Sequence, residues 1–293
     1  MKKFITTKTF IWIMLFLGVL TTKSADAANC GNRNKLASGG QLTIFAVTDN
    51  QRLLRFQECN TRARVIGSIA GLQGSDTSLV GVDFRVQDGK LYGVGNGGGI
   101  YTIDVGTAVA TPSPVSPLTV ALDGTSFGVD FNPAADALRI VSNTGQNLRH
   151  PFAGALAGQT QTDGVLNYAG VTATGITGAA YTNNDLDPDT ATTLFNIDTS
   201  LDQVNAQSPA NSGTLATTGK LTVDAGTPVG FDIYTELDDD RALNNSGFAS
   251  LVVAGEAGFY RINILTGEAF LIDDFRGEAV IDIAIPLNQR SKK

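Results

Sequence analysis

The sequence predicts an all-β protein, a β-propeller with five four-stranded blades, and three observations lead to this prediction. A short motif of the Gly-Val-Asp-Phe type returns about every 50 residues along the chain. Short runs rich in Val, Ile, Phe and Tyr follow each copy, separated by turn residues, and no long helical pattern interrupts them. The last copy of the motif stands alone near the C-terminus, whereas the N-terminal region lacks one.

The repeated motif marks one strand of each unit. Its copies are Gly81–Phe84, Gly128–Phe131, Gly178–Tyr181, Gly230–Ile233 and, in degenerate form, Val280–Ile283. They begin 47, 50, 52 and 50 residues apart. A fixed period of this size indicates one supersecondary unit repeated in a propeller or a solenoid. We interpret the motif as the first and innermost strand of each blade.

The other strands of each unit follow the motif. Leu91–Val94 and Leu138–Val141 are second-strand runs, and Ile100–Ile103 and Phe259–Ile262 are third-strand runs. Turn pairs such as Asp88-Gly89 separate them. A weaker fourth run closes each unit. Four strands in about 50 residues is the size of one propeller blade.

The two ends of the chain predict how the ring closes. Residues 42–49 match a second strand, and no motif precedes them. We therefore expect the C-terminal strand, 280–286, to complete the N-terminal blade and remove the free sheet edges. The alternatives are an open array, which leaves the last strand unexplained, and six blades, if strands are merged within 142–175. The predicted blades of the single domain 28–293 are 42–71 plus 280–286, 80–118, 127–170, 177–223 and 229–274.

The sequence resembles a known family in the pieces Leu42–Phe56, Gly81–Phe84 and Gly128–Asn143. It is similar to a secreted bacterial family known as domain of unknown function 4394, over about 42–286. The fourth blade departs from the pattern, because Ala179-Ala180 stands where other copies have a bulky residue and Asp. The resemblance implies a β-propeller-like fold. It implies no activity and no site residues.

The N-terminus has the three-part pattern of a secretory signal over residues 1–27. A basic start precedes an apolar stretch of 11 residues, 10–20, and then Ala25-Asp26-Ala27. The apolar stretch is shorter than the roughly 20 residues that a membrane span needs, and a retained anchor is the alternative. We expect cleavage after Ala27 and a secreted or periplasmic protein without a membrane span.

Charge and cysteine content support an exported protein with few classes of partner. Cleavage lowers Lys plus Arg from 21 to 17 and Asp plus Glu from 28 to 27, so the formal charge becomes −10. An acidic surface repels phosphate backbones, so we expect no nucleic-acid partner. Cys30 and Cys59 are the two cysteines. In an oxidising compartment we expect them to form one disulfide that holds the new N-terminus.

Four aspartates form the candidate metal site. Asp83, Asp130, Asp232 and Asp282 share one repeat position, and Ala180 occupies it in the remaining copy. Because inner strands line the axis, we expect the four carboxylates to approach one another. Like charges held together raise one another's pKa or require a cation such as Ca²⁺, which takes six to eight oxygens. The alternative, favoured by the repetition, is that each carboxylate accepts backbone N–H bonds and connects blades.

Two acidic loops, 183–189 and 236–240, follow the inner strands of the last two repeats. They lack the Gly and the distal Glu of an EF-hand, so we interpret them as solvated turns. If one of them forms a site, we expect the two loops to act separately, because neighbouring inner strands diverge outward.

The sequence lacks the residue sets of well-known hydrolytic mechanisms. His150 is the single histidine, and no Gly-x-Ser-x-Gly motif occurs. The predicted function is a binding or scaffold module of unknown ligand, a glycan or a protein. The alternative is a secreted glycoside hydrolase that uses two of the aspartates, which requires them to face solvent in different environments.

Overall fold

The computed structural model describes Cys30 and residues 41–289, and 22 β-strands dominate that part of the chain. The first eleven strands are β1 (Thr43–Thr48), β2 (Arg52–Gln57), β3 (Asn60–Ser68), β4 (Leu79–Phe84), β5 (Leu91–Gly95), β6 (Ile100–Ile103), β7 (Ala110–Pro112), β8 (Phe127–Asn132), β9 (Ala137–Ser142), β10 (Asn147–Pro151) and β11 (Gln161–Thr162). The others are β12 (Asn167–Tyr168), β13 (Val171–Thr172), β14 (Ile176–Tyr181), β15 (Leu194–Asp198), β16 (Gln203–Gln207), β17 (Leu215–Lys220), β18 (Ala225–Asp238), β19 (Arg241–Val253), β20 (Glu256–Ile262), β21 (Ala269–Asp274) and β22 (Val280–Ala284). One turn of 3₁₀ helix covers Ala210–Ser212.

Five four-stranded antiparallel sheets form the blades. Blade 1 has the strand order β22-β1-β2-β3, and blade 2 contains β4 to β7. Blade 3 contains β8 to β11, blade 4 contains β14 to β17, and blade 5 contains β18 to β21. The inner strands β22, β4, β8, β14 and β18 contact one another in that order around the axis. The predicted all-β, five-bladed propeller is confirmed.

The C-terminal strand closes the ring, as predicted. β22 pairs antiparallel with β1, with Phe45 opposite Ala284 and Val47 opposite Asp282. Blade 1 is therefore built from both ends of the described chain. Because β22 is the innermost strand of this blade, its loss would expose the edge of β1 and remove one side of two blade interfaces.

The region 142–175, where the strand pattern is weakest, contains an insertion rather than a sixth blade. β11 is only two residues long, and the small hairpin β12–β13 lies outside the five blades. A parallel bridge between Asn167 and Thr214 connects this hairpin to blade 4.

The hydrophobic core of the described residues is divided among the blade interfaces. Each of five apolar clusters packs side chains from two neighbouring blades. Between blades 5 and 1, Phe248 stacks on Phe259 with ring centroids 5.5 Å apart, and Phe56 meets Phe259 edge-on at 5.1 Å. Each buried side chain of this size contributes roughly 1.5–3 kcal/mol. Neighbouring blades are therefore held together mainly by apolar contacts between their facing surfaces.

The predicted disulfide is confirmed. Cys30 is bonded to Cys59, with their Cα atoms 5.3 Å apart. Cys59 lies in the turn between β2 and β3, so the bond ties the chain preceding β1 to the outer part of blade 1. Closing a loop of this size stabilises a fold by roughly 3–4 kcal/mol on the chain-entropy model. The predicted signal peptide, 1–27, lies outside the described residues.

Candidate functional site

Three of the predicted aspartates meet at the propeller axis. The inner strands β4, β8 and β18 place Asp83, Asp130 and Asp232 side by side, with one carboxylate oxygen of each within 4.8 Å of the others. All three are buried, and the most accessible, Asp83, is 7% exposed. The expected convergence of carboxylates therefore occurs for these three residues. We call them, together with Asp282, the axial cluster.

Asp282 belongs to the axial cluster but stands at a different position from the predicted one. A Cβ built on Gly230 would collide with the backbone of Asp282, as a Cβ on Gly128 would collide with the backbone of Gly178. Asp282 therefore lies beside the motif glycines, two residues before the aspartate position. In blade 1 the aspartate position is occupied by Ala284. A shift of two residues keeps a side chain on the same face of a strand, so Asp282 still faces the axis.

Each carboxylate of the axial cluster accepts a backbone N–H bond from the next blade around the ring. The donors are Phe131 to Asp83 at 2.7 Å, Tyr181 to Asp130 at 2.9 Å, Ile285 to Asp232 at 2.6 Å and Val82 to Asp282 at 2.8 Å. These bonds connect four of the five pairs of neighbouring blades. The structural role that the repetition favoured is thus present in the geometry.

Burial raises the pKa of all four carboxyls of the axial cluster. The pKa of Asp232 rises from 3.8 to about 7, although N–H bonds from Ile285 and Ile233 oppose the rise. The pKa values of Asp83 and Asp130 rise well above 3.8, because burial is reinforced by the neighbouring carboxylates. Asp282 shows the same direction, also chiefly through burial. The cluster therefore retains protons at pH values where exposed carboxyls have lost them.

The donor set of the axial cluster suits a hard cation in its chemistry, because Ca²⁺ binds carboxylate oxygens. Asp83, Asp130 and Asp232 together offer three such oxygens within ligand-sharing distance. The predicted Ca²⁺ site at the axial cluster stays a prediction. The glycoside-hydrolase alternative requires carboxylates that a sugar can reach. The burial of all four carboxyls gives that alternative no support at these residues.

The acidic loop 183–189 contacts Arg241 and Ala242, which directly follow the acidic segment 236–240, so the two segments do not diverge as expected. The expectation that they act separately in a site stays a prediction. Asp185 accepts a bond from the Ala242 N–H at 2.8 Å, and Asp187 forms an ion pair with Arg241. The reason is that most of the second acidic segment is strand, and only residues 239–240 form the turn of a hairpin. Residues 236–238 continue β18, which forms a long hairpin with β19 that extends to the loop of blade 4.

A cleft of about 640 Å³ lies between blade 4 and this long hairpin. Thr182, Thr193 and Phe195 of blade 4 form one wall. The remaining lining comes from β19, from the turn between β20 and β21 and from the start of β21, chiefly Leu243, Asn245, Ile264, Leu265 and Phe270. The volume lies in the range of small-molecule sites. A second cleft, of about 660 Å³, lies at the same end of the strands of blade 2 and is lined by Lys90 and several threonines.

The interface between blades 3 and 4 contains a buried polar layer that the sequence did not reveal. Arg139, 1% exposed, donates to the Tyr181 hydroxyl at 3.3 Å and to Asn147 at 2.7 Å. It also bonds Asp163 at 2.8 Å and Asn211 at 2.7 Å. This one guanidinium therefore connects two blades through four partners.

On the blade 4 side of the same interface, buried amides lack partners. Neither polar atom of the Asn196 side chain has a hydrogen bond among the described residues, nor do Asn205 Nδ2 and Gln207 Oε1. Asn196 lies directly opposite Asn205 on the neighbouring strand. Unpaired buried amides are costly, so we expect this layer to contribute less stability than the apolar interfaces.

His150 is a buried residue whose contacts support the fold. Its ring nitrogens lie 2.9 Å from Thr160 Oγ1 and 3.0 Å from the Val115 carbonyl oxygen. The side chain is fully buried, and burial lowers its pKa. It connects blade 3 to the segment that follows blade 2.

The fold and the site define a closed five-bladed propeller with a buried axial carboxylate cluster and a cleft beside one long hairpin. The chain belongs to the family described as Domain of unknown function (DUF4394), whose family model matches residues 52–284. This confirms the resemblance seen in the sequence. No curated protein matches the chain.

Solved structures are similar to the chain in fold at low sequence identity. A nidogen/laminin complex contains a chain 13% identical, with 85% of this chain and 99% of that chain covered and a TM-score of 0.47. A Bacteroides thetaiotaomicron protein of unknown function is 13% identical, with coverages of 87% and 69% and a TM-score of 0.43. An auxiliary nutrient binding protein from Bacteroides ovatus is 16% identical, with coverages of 78% and 58% and a TM-score of 0.39.

In the described part of the chain, no helix combines the length and the apolar character needed to cross a membrane. The disulfide between Cys30 and Cys59 is compatible with an extracellular or periplasmic protein, because such bonds persist in oxidising compartments.

Proposed function

We propose that this chain is an exported binding module that takes up its ligand in the cleft between blades 4 and 5. The observation that carries the proposal is the cleft wall formed by β18 and β19. These strands have 14 and 13 residues, whereas the longest strand of any other blade has 9. The extra length is not needed to complete a blade. The extra residues form one wall of the cleft. In propellers, binding functions reside in segments added to the blades.

The lining chemistry supports a binding role. Leu265 is 72% exposed and Leu243 is 51% exposed, and both line the cleft together with the half-buried Phe270. Amide side chains such as Asn244 and Asn245 stand beside them. Exposed apolar groups next to a few polar groups are typical of ligand sites. Covering each leucine would contribute up to roughly 1.5–3 kcal/mol.

Export is supported by the signal pattern of residues 1–27 and by the disulfide. Both are expected of a protein that folds outside the cytoplasm.

The test is a binding screen of the purified mature protein against glycan and synthetic-peptide arrays, repeated with two variants. Leu265→Ser removes an exposed apolar group of the cleft. Leu271→Ser is the matched control, because Leu271 is 51% exposed in the same blade and does not line the cleft. We expect a ligand whose binding weakens in Leu265→Ser and not in Leu271→Ser. Ligands that bind both variants as well as wild type would overturn the proposal.

A further inference from the structure

The long hairpin leaves part of β19 with an open edge. β19 pairs with β18 over its full length, from Arg241 to Val253. Its pairing with β20 ends at Gly247 opposite Ile262. Within the part of the chain that the structure describes, residues 241–246 therefore have a neighbouring strand on one side only, and residues 243–246 line the cleft on the other. An open edge of this kind is a template for another strand.

The register shows which backbone groups face the cleft. The Asn263 N–H donates to the Glu268 carbonyl at 2.9 Å, so the backbone of Asn263 faces β21. Ile262, one residue earlier, faces β19 and its partner Gly247. Backbone groups alternate sides along a strand, so the N–H and C=O of Asn245 point the same way as those of Gly247. Beyond the end of β20, the register leaves both groups of Asn245 without a partner strand among residues 41–289.

The charges around this edge are predominantly negative. Asp238, Asp239 and Asp240 are exposed at the tip of the hairpin, and Glu268 is exposed in the turn between β20 and β21. The nearby cations are already paired, because Arg241 contacts Asp187 and Arg261 contacts Glu58. Charged groups on an edge repel strands of like charge. The edge therefore selects against acidic segments and for basic ones.

We propose that the cleft binds an extended, cationic segment of a partner polypeptide, which adds as a strand beside residues 243–246 of β19. The proposal rests on the proposed function, because it assigns a ligand class to the same cleft. The segment's backbone pairs with the N–H and C=O of Asn245. Its apolar side chains cover Leu243 and Leu265, and its basic side chains meet the acidic tip. Main-chain bonds with alternating side-chain contacts are the usual features of strand addition.

The experiment uses a fluorescein-labelled peptide, Lys-Val-Lys-Val-Lys-Val-Lys, and measures its binding to the mature protein by fluorescence anisotropy. Two comparison peptides are the same sequence N-methylated at alternate residues, in both phases, and the version with Glu in place of Lys. We expect N-methylation in one phase to weaken binding about tenfold, because it removes the peptide N–H that pairs with the Asn245 carbonyl. We expect the Glu peptide not to bind, and binding to weaken in Leu265→Ser but not in Leu271→Ser.

The outcomes separate this inference from the proposed function. Equal binding of the methylated and unmethylated peptides, or of wild type and Leu265→Ser, would mean non-specific charge attraction and would overturn the strand-addition proposal. A glycan that binds in a Leu265-dependent way while the peptide does not would overturn this inference and leave the proposed function standing. If neither peptides nor glycans respond to Leu265→Ser, both proposals fail.

Discussion

Raising the pH should destabilise this propeller through the axial cluster, and Asp232→Asn should remove much of that effect. The pKa of Asp232 in the folded protein is about 7, against an ordinary value of 3.8. Between these values the folded state holds a proton that the unfolded state has released. The stability that the Asp232 carboxyl contributes is therefore fully present below about pH 3.8 and is lost as the pH rises through about 7. Above pH 7 the loss attributable to this carboxyl approaches about 4 kcal/mol.

Chemical denaturation at pH 5 and pH 8 measures the effect. Between these values Asp232 alone should lower the free energy of unfolding by about 3 kcal/mol, a large part of the 5–15 kcal/mol typical of a domain. Asn at position 232 does not titrate, yet its carbonyl oxygen can accept the bond that Ile285 donates to Asp232. We expect the pH dependence of Asp232→Asn to be flatter than wild type by that amount or more. Removing the Asp232 charge also lowers the pKa of Asp83.

A matched control is Asp240→Asn, since Asp240 is an exposed carboxyl at the hairpin tip. This variant should retain the wild-type pH dependence. Equal slopes in wild type and Asp232→Asn would refute the reasoning, because they would show that burial does not hold a proton at this position.

Four further predictions concern ring closure, export, metal binding at the axial cluster and the buried amides of blade 4. A protein truncated after Glu278 should lose cooperative thermal unfolding, because β22 completes blade 1; melting like full length would contradict ring closure. Mass spectrometry of exported protein should show a chain starting at Ala28 and no free thiol at Cys30 or Cys59; a retained leader or alkylated cysteines would be evidence against export or against the bond. If the axial cluster holds Ca²⁺, chelator should lower the melting temperature and Ca²⁺ should restore it better than Mg²⁺; a curve unmoved by either removes the metal hypothesis. Asn196→Leu should leave stability unchanged or raise it by about 1 kcal/mol, because it removes an unpaired buried amide; a loss above about 2 kcal/mol in denaturant titration would show that the amide has partners.

The fold could be predicted from the sequence because each blade repeats the same local pattern. The motif Gly81–Phe84 and its copies combine a glycine, which allows inner strands to approach closely, with apolar residues that face the blade interfaces. The last copy of the motif, near residue 280, belongs to no complete unit, so its predicted place was beside β1. These signals are local in sequence, and the topology follows from them.

The position of Asp282 could not be predicted, because two frames fit the alternation of β22 equally well. Val280-Ile281-Asp282-Ile283 and Asp282-Ile283-Ala284-Ile285 both alternate in the required way. Only the pairing with β1 selects the second frame. Strand pairing depends on residues more than 200 positions away, and a pattern of period two carries no information about a shift of two residues.

The sequence contains a strand pattern for the long hairpin, but the acidic residues at its tip favoured a loop instead. Val229, Phe231, Ile233, Thr235 and Leu237 occupy every second position and are all buried, which is typical of one continuous strand. Composition suggested a loop at 236–240, because Glu and Asp dominate there. The cleft is formed by the long hairpin together with blade 4 and the turn between β20 and β21. No single segment of the sequence therefore predicts it.

The axial cluster and the cleft are related through one junction of the ring. Among the described residues, four junctions have an axial carboxylate bond, and the junction of blades 4 and 5 lacks one because Ala180 stands at the aspartate position. At this junction, bonds between the blade 4 loop and the long hairpin replace it, among them Asp185 with Ala242 and the paired side chains of Asn183 and Asn245. These bonds lie beside the cleft rather than at the axis. The junction that holds the cleft is therefore connected by the same elements that form the cleft, so the loop and hairpin that shape the site also fix the angle between its two walls.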